Sequence, residues 1–519
     1  MAETLKYPIG QQNFKLLREA GNLYIDKTYF VDKIVRSGIR YFFLARPRRF
    51  GKSMFLSTLQ YFFEGRRDLF EGLYIDSTDW DWQSYPVLHI DLNTDRYADE
   101  GMLEDVLDNL FKIWEERYGI TDIASSHSQR FTNIIRIAHE KTGKEVVILV
   151  DEYDKPLVGN INDRKKLDHY RTRLASLYSS FKSSAEHIRL VFLTGVSRFS
   201  KLSVFSDLNN LNDITFDSGY ADICGITEKE LREQIGEGVK SFALREGICF
   251  EEACRILKEN YDGYLFAREG SDIYNPWSLL NCLSKREIGN YWIHTGLPSV
   301  AAELLKKINA DLEKTLDSYS TQDELTGMDL LDPNAKALLY QTGYVTIKEY
   351  IPRLRRYRLG IPNREVKEGF YRVLVRYYLK YKESVTNDII DRMVVGFLMG
   401  DPNAAMQEMQ TYLAGVDYML KIEDENNFHN AFFLMMNLIG LDAKAESHTS
   451  DGRIDIEIKT EDYVYIIELK YDGSAEEALK QIEEKKYARK YQTDSRRLFE
   501  IGVNFSSSTR CIEFWKIKE

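Results

Sequence analysis

The sequence predicts a multidomain α/β protein, and three observations carry that expectation. The chain has 519 residues, more than a single hydrophobic core usually supports, so several cores are expected. The segments at 41–45, 146–150 and 189–194 are short, apolar through their interiors and without polar alternation, so they read as strands buried on both faces. The stretches between them carry apolar residues at helical spacing, and buried strands that alternate with helices pair in parallel.

In chain order, residues 24–90 read as a short strand, a helix over 27–38, the buried strand at 41–45, a glycine turn and a helix opening at Lys52. The strand at 146–150 follows a Gly-Lys turn, and the strand at 189–194 follows a long helical stretch. From about Gly225 strand signals fade and helices dominate, most clearly at 226–242, 251–260 and 300–316, as in a helical lid or linker. Residues 331–380 offer a helix at 335–341, a Gly turn and strands around Val345 and Tyr357, an order compatible with a winged-helix-like module. From Phe428 come a helix, strands at 453–459 and 463–471, a helix over 475–491 and a strand at 498–503, which form a closing α/β domain. The expected boundaries are 1–224, 225–425 and 426–519.

Composition narrows the function classes. Hydrophobic residues at 44% and charged residues at 29% exclude a largely disordered chain. A net charge of −11 argues against coating nucleic acid through the overall field, so DNA or RNA contact requires a local basic groove. Arg353, Arg355, Arg356 and Arg358 could supply such a contact or could simply solvate a strand edge. Five scattered cysteines lack disulfide-framework or CxxC spacing. No signal pattern opens the chain and no apolar run reaches about 18 residues, so a soluble, cytoplasmic protein without membrane segments is expected.

After the strand at 41–45 comes Arg46-Pro47-Arg48-Arg49-Phe50-Gly51-Lys52-Ser53, the second half of a phosphate-binding loop. In that pattern backbone N–H groups and a helix N-terminus face the phosphates, the lysine neutralises them and the hydroxyl ligates Mg²⁺. Arg49, Phe50, Gly51, Lys52 and Ser53 are therefore candidate nucleotide contacts. Arg46 stands where the pattern has its first glycine, so the turn must form without glycine's freedom at positive φ. About a hundred residues later, an apolar strand ends in Asp151-Glu152. Asp151 fits a Mg²⁺ ligand and Glu152 a residue that orients or deprotonates attacking water. The third strand delivers Thr194, Ser197 and Arg198 to the same sheet edge. Thr194 or Ser197 could sense the γ-phosphate, and Arg198 is either an ordinary ion-paired residue or, in a homo-oligomer, a group completing a neighbour's site.

Near the C-terminus, Asp455 lies on one strand, and Glu468 and Lys470 lie two apart on the next, so a hairpin would gather them on one face. Two carboxylates can hold Mg²⁺ and the lysine can position water or stabilise charge. The bland alternative is a solvated hairpin with a cross-strand ion pair. Gln481 and Lys485 share a face of the following helix, with Tyr487 close behind, and Glu446 could add a further ligand.

At Tyr24-Ile25-Asp26-Lys27-Thr28, the Arg46–Ser53 stretch, Asp151-Glu152-Tyr153-Asp154, Thr194-Gly195-Val196-Ser197-Arg198, Gly452-Arg453-Ile454-Asp455 and Glu468-Leu469-Lys470, the sequence resembles a bacterial family. Its members pair an N-terminal AAA-like P-loop ATPase domain with a C-terminal PD-(D/E)xK, restriction-endonuclease-like domain. Arg46 looks like that family's own usage. The resemblance implies ATP binding, with Asp455, Glu468 and Lys470 as nuclease-site positions. The leading expectation is an ATPase coupled to a metal-dependent nuclease in DNA processing or defence. The alternatives are a nucleotide-controlled switch whose C-terminal domain binds a partner or nucleic acid without cutting, and a scaffold with degenerate sites.

Overall fold

The structure, a computed structural model, describes residues 5–94, 97–160, 163–198, 210–293, 298–327, 334–379, 382–415, 425–449, 452–506, 508–509 and 511–519. Side chains of 94, 300, 383, 425–429, 442–449 and 452–454 lie outside that description, and Glu446 is among them. The chain divides into two compact units, Met1–Gly296 with Leu316–Val366, and Leu297–Thr315 with Lys367–Glu519. Residues 225–425 thus fall partly in each.

In the first unit, β1 (Tyr41–Ala45), β2 (Val87–Asp91), β3 (Val146–Asp151), β4 (Ile188–Gly195) and β5 (Asn212–Asp213) form a parallel sheet in the order β2-β3-β4-β1-β5. Every residue of β1 and β3 is buried, as continuous apolar runs covered on both faces should be. The order seats β4 between β1 and β3, so the loops leaving all three open at one carboxyl edge. Two strands carried no clear sequence signal: β2 is only partly apolar and half-buried toward its end, and β5 has two residues. The strand expected near Tyr24 does not form. Residues 22–27 instead run as irregular extended chain, pinned where Leu23 N–H donates to Lys6 C=O at 2.9 Å.

The helix expected over 226–242 is three elements: β6 (Ile226–Thr227) and the helices Glu228–Gln234 and Gly236–Glu246. Thr227 starts the first helix with a reciprocal capping box to Glu230, and its pairing segment meets β7 (Ile273–Tyr274). These helices, with Phe250–Tyr261 and Pro276–Lys285, close around Leu231, Val239, Leu257, Tyr261 and Leu279. A small antiparallel sheet of β8 (Ser318–Ser320), β9 (Thr346–Ile351) and β10 (Arg356–Gly360), ordered β8-β10-β9, accompanies the helix Ala335–Thr342 and keeps the winged-helix-like order.

In the second unit, the helix expected over 300–316 breaks into Pro298–Lys307 and Leu312–Leu316, with Asn309 at φ 49° between them. Its sheet runs β11 (Asp442–Thr449), β12 (Gly452–Lys459), β13 (Tyr463–Tyr471), β14 (Arg497–Ser506) and β15 (Cys511–Lys518) in sequence order. Only β13 and β14 pair in parallel. That pairing requires a crossover, and the helix Ala475–Glu484, started by the Ser474 capping box, provides it. The helix expected to 491 stops short because Lys486 adopts φ 50° and a 3₁₀ turn, Tyr487–Tyr491, follows. No helix among the described residues is long and apolar enough to cross a membrane.

Candidate functional site

The turn after β1 is built without a glycine at its start. Arg46 is not among the residues with positive φ; left-handed backbone falls instead on Arg49 at φ 66° and Gly51 at φ 100°. The Arg46 side chain is 1% exposed. Its guanidinium donates to the carbonyls of Ala45 and Thr215, both at 2.9 Å, and of Tyr220 at 3.2 Å, and it lies 4.4 Å over the Phe266 ring. This buried cation is a strut under the turn. Gly51 then caps the helix Lys52–Phe63. Lys52 Nζ donates to the carbonyls of Arg46 at 3.1 Å and Pro47 at 3.3 Å and pairs with Glu152 Oε1 at 3.3 Å.

The end of β3 meets this loop. The Ser53 hydroxyl lies beside the buried Asp151 carboxylate and lowers its pKa, against the effect of burial. Burial first, and then the charge of Glu152, raises the Asp151 pKa to about 7. Asp91, its register partner on β2, adds to that repulsion. A buried, mutually repelling carboxylate set beside a hydroxyl fits a divalent cation, which would relieve the repulsion. Glu152 sits at φ 50° and Asp154 accepts the amides of Val196 at 3.2 Å and Ser197 at 2.6 Å, tying this turn to the loop after β4. Thr194, on β4, is fully buried, and its Oγ1 has no hydrogen-bond partner among the described residues. Arg198 points elsewhere: its Nε pairs with Asp213 at 2.6 Å and its amide donates to Gln341 at 3.0 Å.

A cavity of about 400 Å³ opens beside the loop, lined by 48–55, Glu152 and Lys155, and by apolar side chains of Ile9, Leu23, Ile25, Ile226, Trp277 and Leu280. Trp277 is fixed by its indole N–H to Tyr291 C=O at 3.2 Å and carries the Arg49 guanidinium 4.2 Å above its ring. An apolar cleft next to convergent phosphate-type donors is the common form of a nucleotide pocket.

In the second unit, Asp455 lies one position past the last β12–β13 ladder pair, Ile456 with Ile467, and so faces Glu468. Asp455 Oδ2 accepts Leu469 N–H at 2.8 Å. Lys470 donates to the Gln481 carbonyl oxygen, and the Gln481 amide donates to Glu468 Oε1. Glu468 is 2% exposed. Burial and then the Asp455 charge push its pKa up to about 7, and its Oε2 has no hydrogen-bond partner among the described residues. Two crowded carboxylates with an orphaned oxygen fit one divalent cation. Glu457, two residues along β12, is already neutralised by Lys459 at 2.7 Å, Lys490 at 2.6 Å and the Tyr491 hydroxyl. Lys485 is exposed at the helix C-cap. Among the described residues no three His, Cys, Asp or Glu side chains form a metal cluster.

The comparisons with known proteins match the two regions that contain these residues. The family model described as "Predicted AAA-ATPase" matches residues 8–205, and one described as "PD-(D/E)XK nuclease superfamily" matches 423–515. A protein of Azotobacter chroococcum mcd 1, described as "Uncharacterized protein in vnfD 5'region", is 35% identical over 522 residues, covering 98% of each chain. The chain belongs to this AAA-ATPase-like, PD-(D/E)XK-bearing family.

In this AAA-ATPase-like protein, the supports of the cavity beside the loop are non-local and carry no signal in the sequence. Trp292 donates its indole N–H to Arg48 C=O at 2.9 Å, and its backbone N–H donates to Glu365 Oε1 at 2.5 Å. Glu365 is buried, and that burial raises its pKa to about 7. Because the folded pKa exceeds the ordinary 4.5, the native state holds this proton more tightly, and stability falls as pH rises from about 4.5 through about 7. Glu365→Gln is expected to remove up to about 1.4 kcal/mol per pH unit from that slope. Denaturant unfolding of both proteins at pH 5 to 8 checks it; parallel slopes would refute the assignment.

Proposed function

We propose that this AAA-ATPase-like protein binds and hydrolyses ATP in the first unit and cuts nucleic acid at the Asp455–Glu468–Lys470 site in the second. The observation that carries the first half is the convergence of Lys52, Ser53, Asp151 and Glu152 beside a cavity of about 400 Å³. Phosphates take over Lys52 from the loop carbonyls, which frees Glu152 to orient the attacking water. Ser53 and Asp151 hold Mg²⁺, and the orphaned Thr194 Oγ1 reads the γ-phosphate. Arg49 and Phe50 hold the loop. The pairing of Arg198 with Asp213 favours a structural role for that arginine over completing a neighbour's site.

In the second half, Asp455 and Glu468 hold the cation, and Gln481 orients Glu468 and Lys470 together. A bound Mg²⁺ polarises the phosphodiester and eases deprotonation of water. Lys470 is the group that steers that water or steadies the charge developing on phosphate. The exposed hairpin tip bearing Arg353, Arg355 and Arg356 is a candidate contact for the nucleic-acid backbone.

The switch reading also has an observation in its favour. The tie from Glu365 through Trp292 to the phosphate loop would let nucleotide occupancy reorganise the first turn of the helix Arg364–Tyr378 without any cutting. The wild-type protein separates the readings. ATP hydrolysis together with Mg²⁺- or Mn²⁺-dependent nicking of plasmid, linear or single-stranded substrates is expected. Tight ATP binding with no cleavage of any DNA or RNA form would replace the nuclease with the switch.

A further inference from the structure

The cavity lining carries an imbalance of charge that the residues named so far do not use up. Lys27, Arg48, Arg49, Lys52 and Lys155 line it, against Glu152 as the one carboxylate among those residues. Three of these cations are engaged. Lys27 is held by Glu230 at 2.6 Å, Arg49 stacks on Trp277, and Lys52 is the loop lysine paired with Glu152. Arg48 and Lys155 remain, and neither has a carboxylate within ion-pair distance among the described residues.

Both are positioned rather than loose. Lys155 lies three residues after Glu152, and its amide donates to the Glu152 carbonyl at 2.9 Å, which closes the turn after β3. Its Nζ donates to Asn93 Oδ1 at 2.7 Å, past the end of β2. Arg48 is anchored through its carbonyl by the Trp292 indole, and Gly343 at φ 87° packs against the neighbouring Pro47 so closely that a Cβ there would come within 2.9 Å. Burial and then the charge of Arg48 depress the Lys155 pKa, outweighing Glu152, Asp154 and Asp91, which raise it. Two cations held near each other in a partly buried lining are costly unless an anion joins them.

We propose that Arg48 and Lys155 are the pair that binds the γ-phosphate, supplied in cis from the loop after β1 and the turn after β3. This inference rests on the nucleotide reading above and goes further: it makes the site selective for a nucleoside triphosphate over the diphosphate. Placement beside Glu152, the water-orienting carboxylate, puts the pair at the terminal phosphate. It also supplies the positive charge that Arg198, committed to Asp213, does not bring to the site.

The test measures ATP and ADP affinity separately, by competition against a fluorescent ADP with Mg²⁺ present, on the full chain. Lys155→Gln removes the charge and leaves a shorter amide donor on the Asn93 side; Arg48→Gln removes the charge in the loop. Each is expected to weaken ATP about tenfold or more while leaving ADP within about twofold, and Lys155→Arg is expected to restore the ATP-to-ADP ratio. Equal loss for both nucleotides, or loss for neither, overturns the pair while leaving the nucleotide site intact. Wild type that binds neither nucleotide, or a Lys52→Ala variant that binds both as wild type does, would remove the nucleotide reading itself and the pair with it.

Discussion

Lys52→Ala is expected to weaken ATP by about a hundredfold or more, on the scale of removing one member of a buried, hydrogen-bonded charge pair, and to abolish hydrolysis. The lysine is 4% exposed and is shared between two loop carbonyls and Glu152, so it is already in place when phosphates arrive. Its charge also offsets part of the burial and Glu152 repulsion that together leave the Asp151 and Asp154 pKa values raised to about 7 and about 6. Without it both carboxyls rise further, so Asp151 becomes a poorer cation ligand at the same time as the phosphates lose their partner. Ligand-linked stability reads this out without relying on turnover. At ATP a hundred times the wild-type Kd, binding stabilises the native state by about 2.7 kcal/mol, whereas a hundredfold weaker variant gains only about 0.4 kcal/mol. An ATP-dependent rise in Tm that survives Lys52→Ala would show that the cavity does not bind phosphates.

The parts of this site that were legible in the sequence are those whose chemistry is local. Gly51-Lys52-Ser53 and Asp151-Glu152 each sit within a few residues of a fully apolar strand, and the period-two pattern of β12 and β13 marks which carboxylates share a face. Gln481 was legible through helical spacing. The remainder depends on contacts across long stretches of chain. Arg46 reads as a missing glycine until its carbonyl partners at Thr215 and Tyr220 are seen, some 170 residues away. The apolar lining comes from Ile9, Ile25, Ile226 and Trp277, which no window joins, and Glu365 looks like any helix-start glutamate. Helix breaks at Ile235, Asn309 and Lys486 were hidden because apolar periodicity continues across each, while backbone geometry alone stops the helix.

Glu468→Gln is the second large effect: nucleic-acid cleavage is expected to fall by about a thousandfold or more, which corresponds to about 4 kcal/mol of barrier, without loss of the fold. The substitution keeps the acceptor that Gln481 uses and removes only the charge facing Asp455. That charge is expensive to the metal-free protein. The folded pKa of about 7 lies above the ordinary 4.5, so the native state binds the proton more tightly than the unfolded chain does. Stability therefore falls as pH rises from about 4.5 through about 7, and the full cost is present at pH 8. In chelator at pH 8 the variant is expected to melt at or above the wild-type temperature, with the gap shrinking toward pH 5. Mg²⁺ should then raise the Tm of wild type by mass action and leave the variant nearly unmoved. A protein that is destabilised by its own carboxylate, recovers with Mg²⁺ and cuts only when that carboxylate is present has a site arranged for a cation. An equal Mg²⁺ shift in both proteins, or undiminished cutting by the variant, would place the cation and the chemistry away from Glu468.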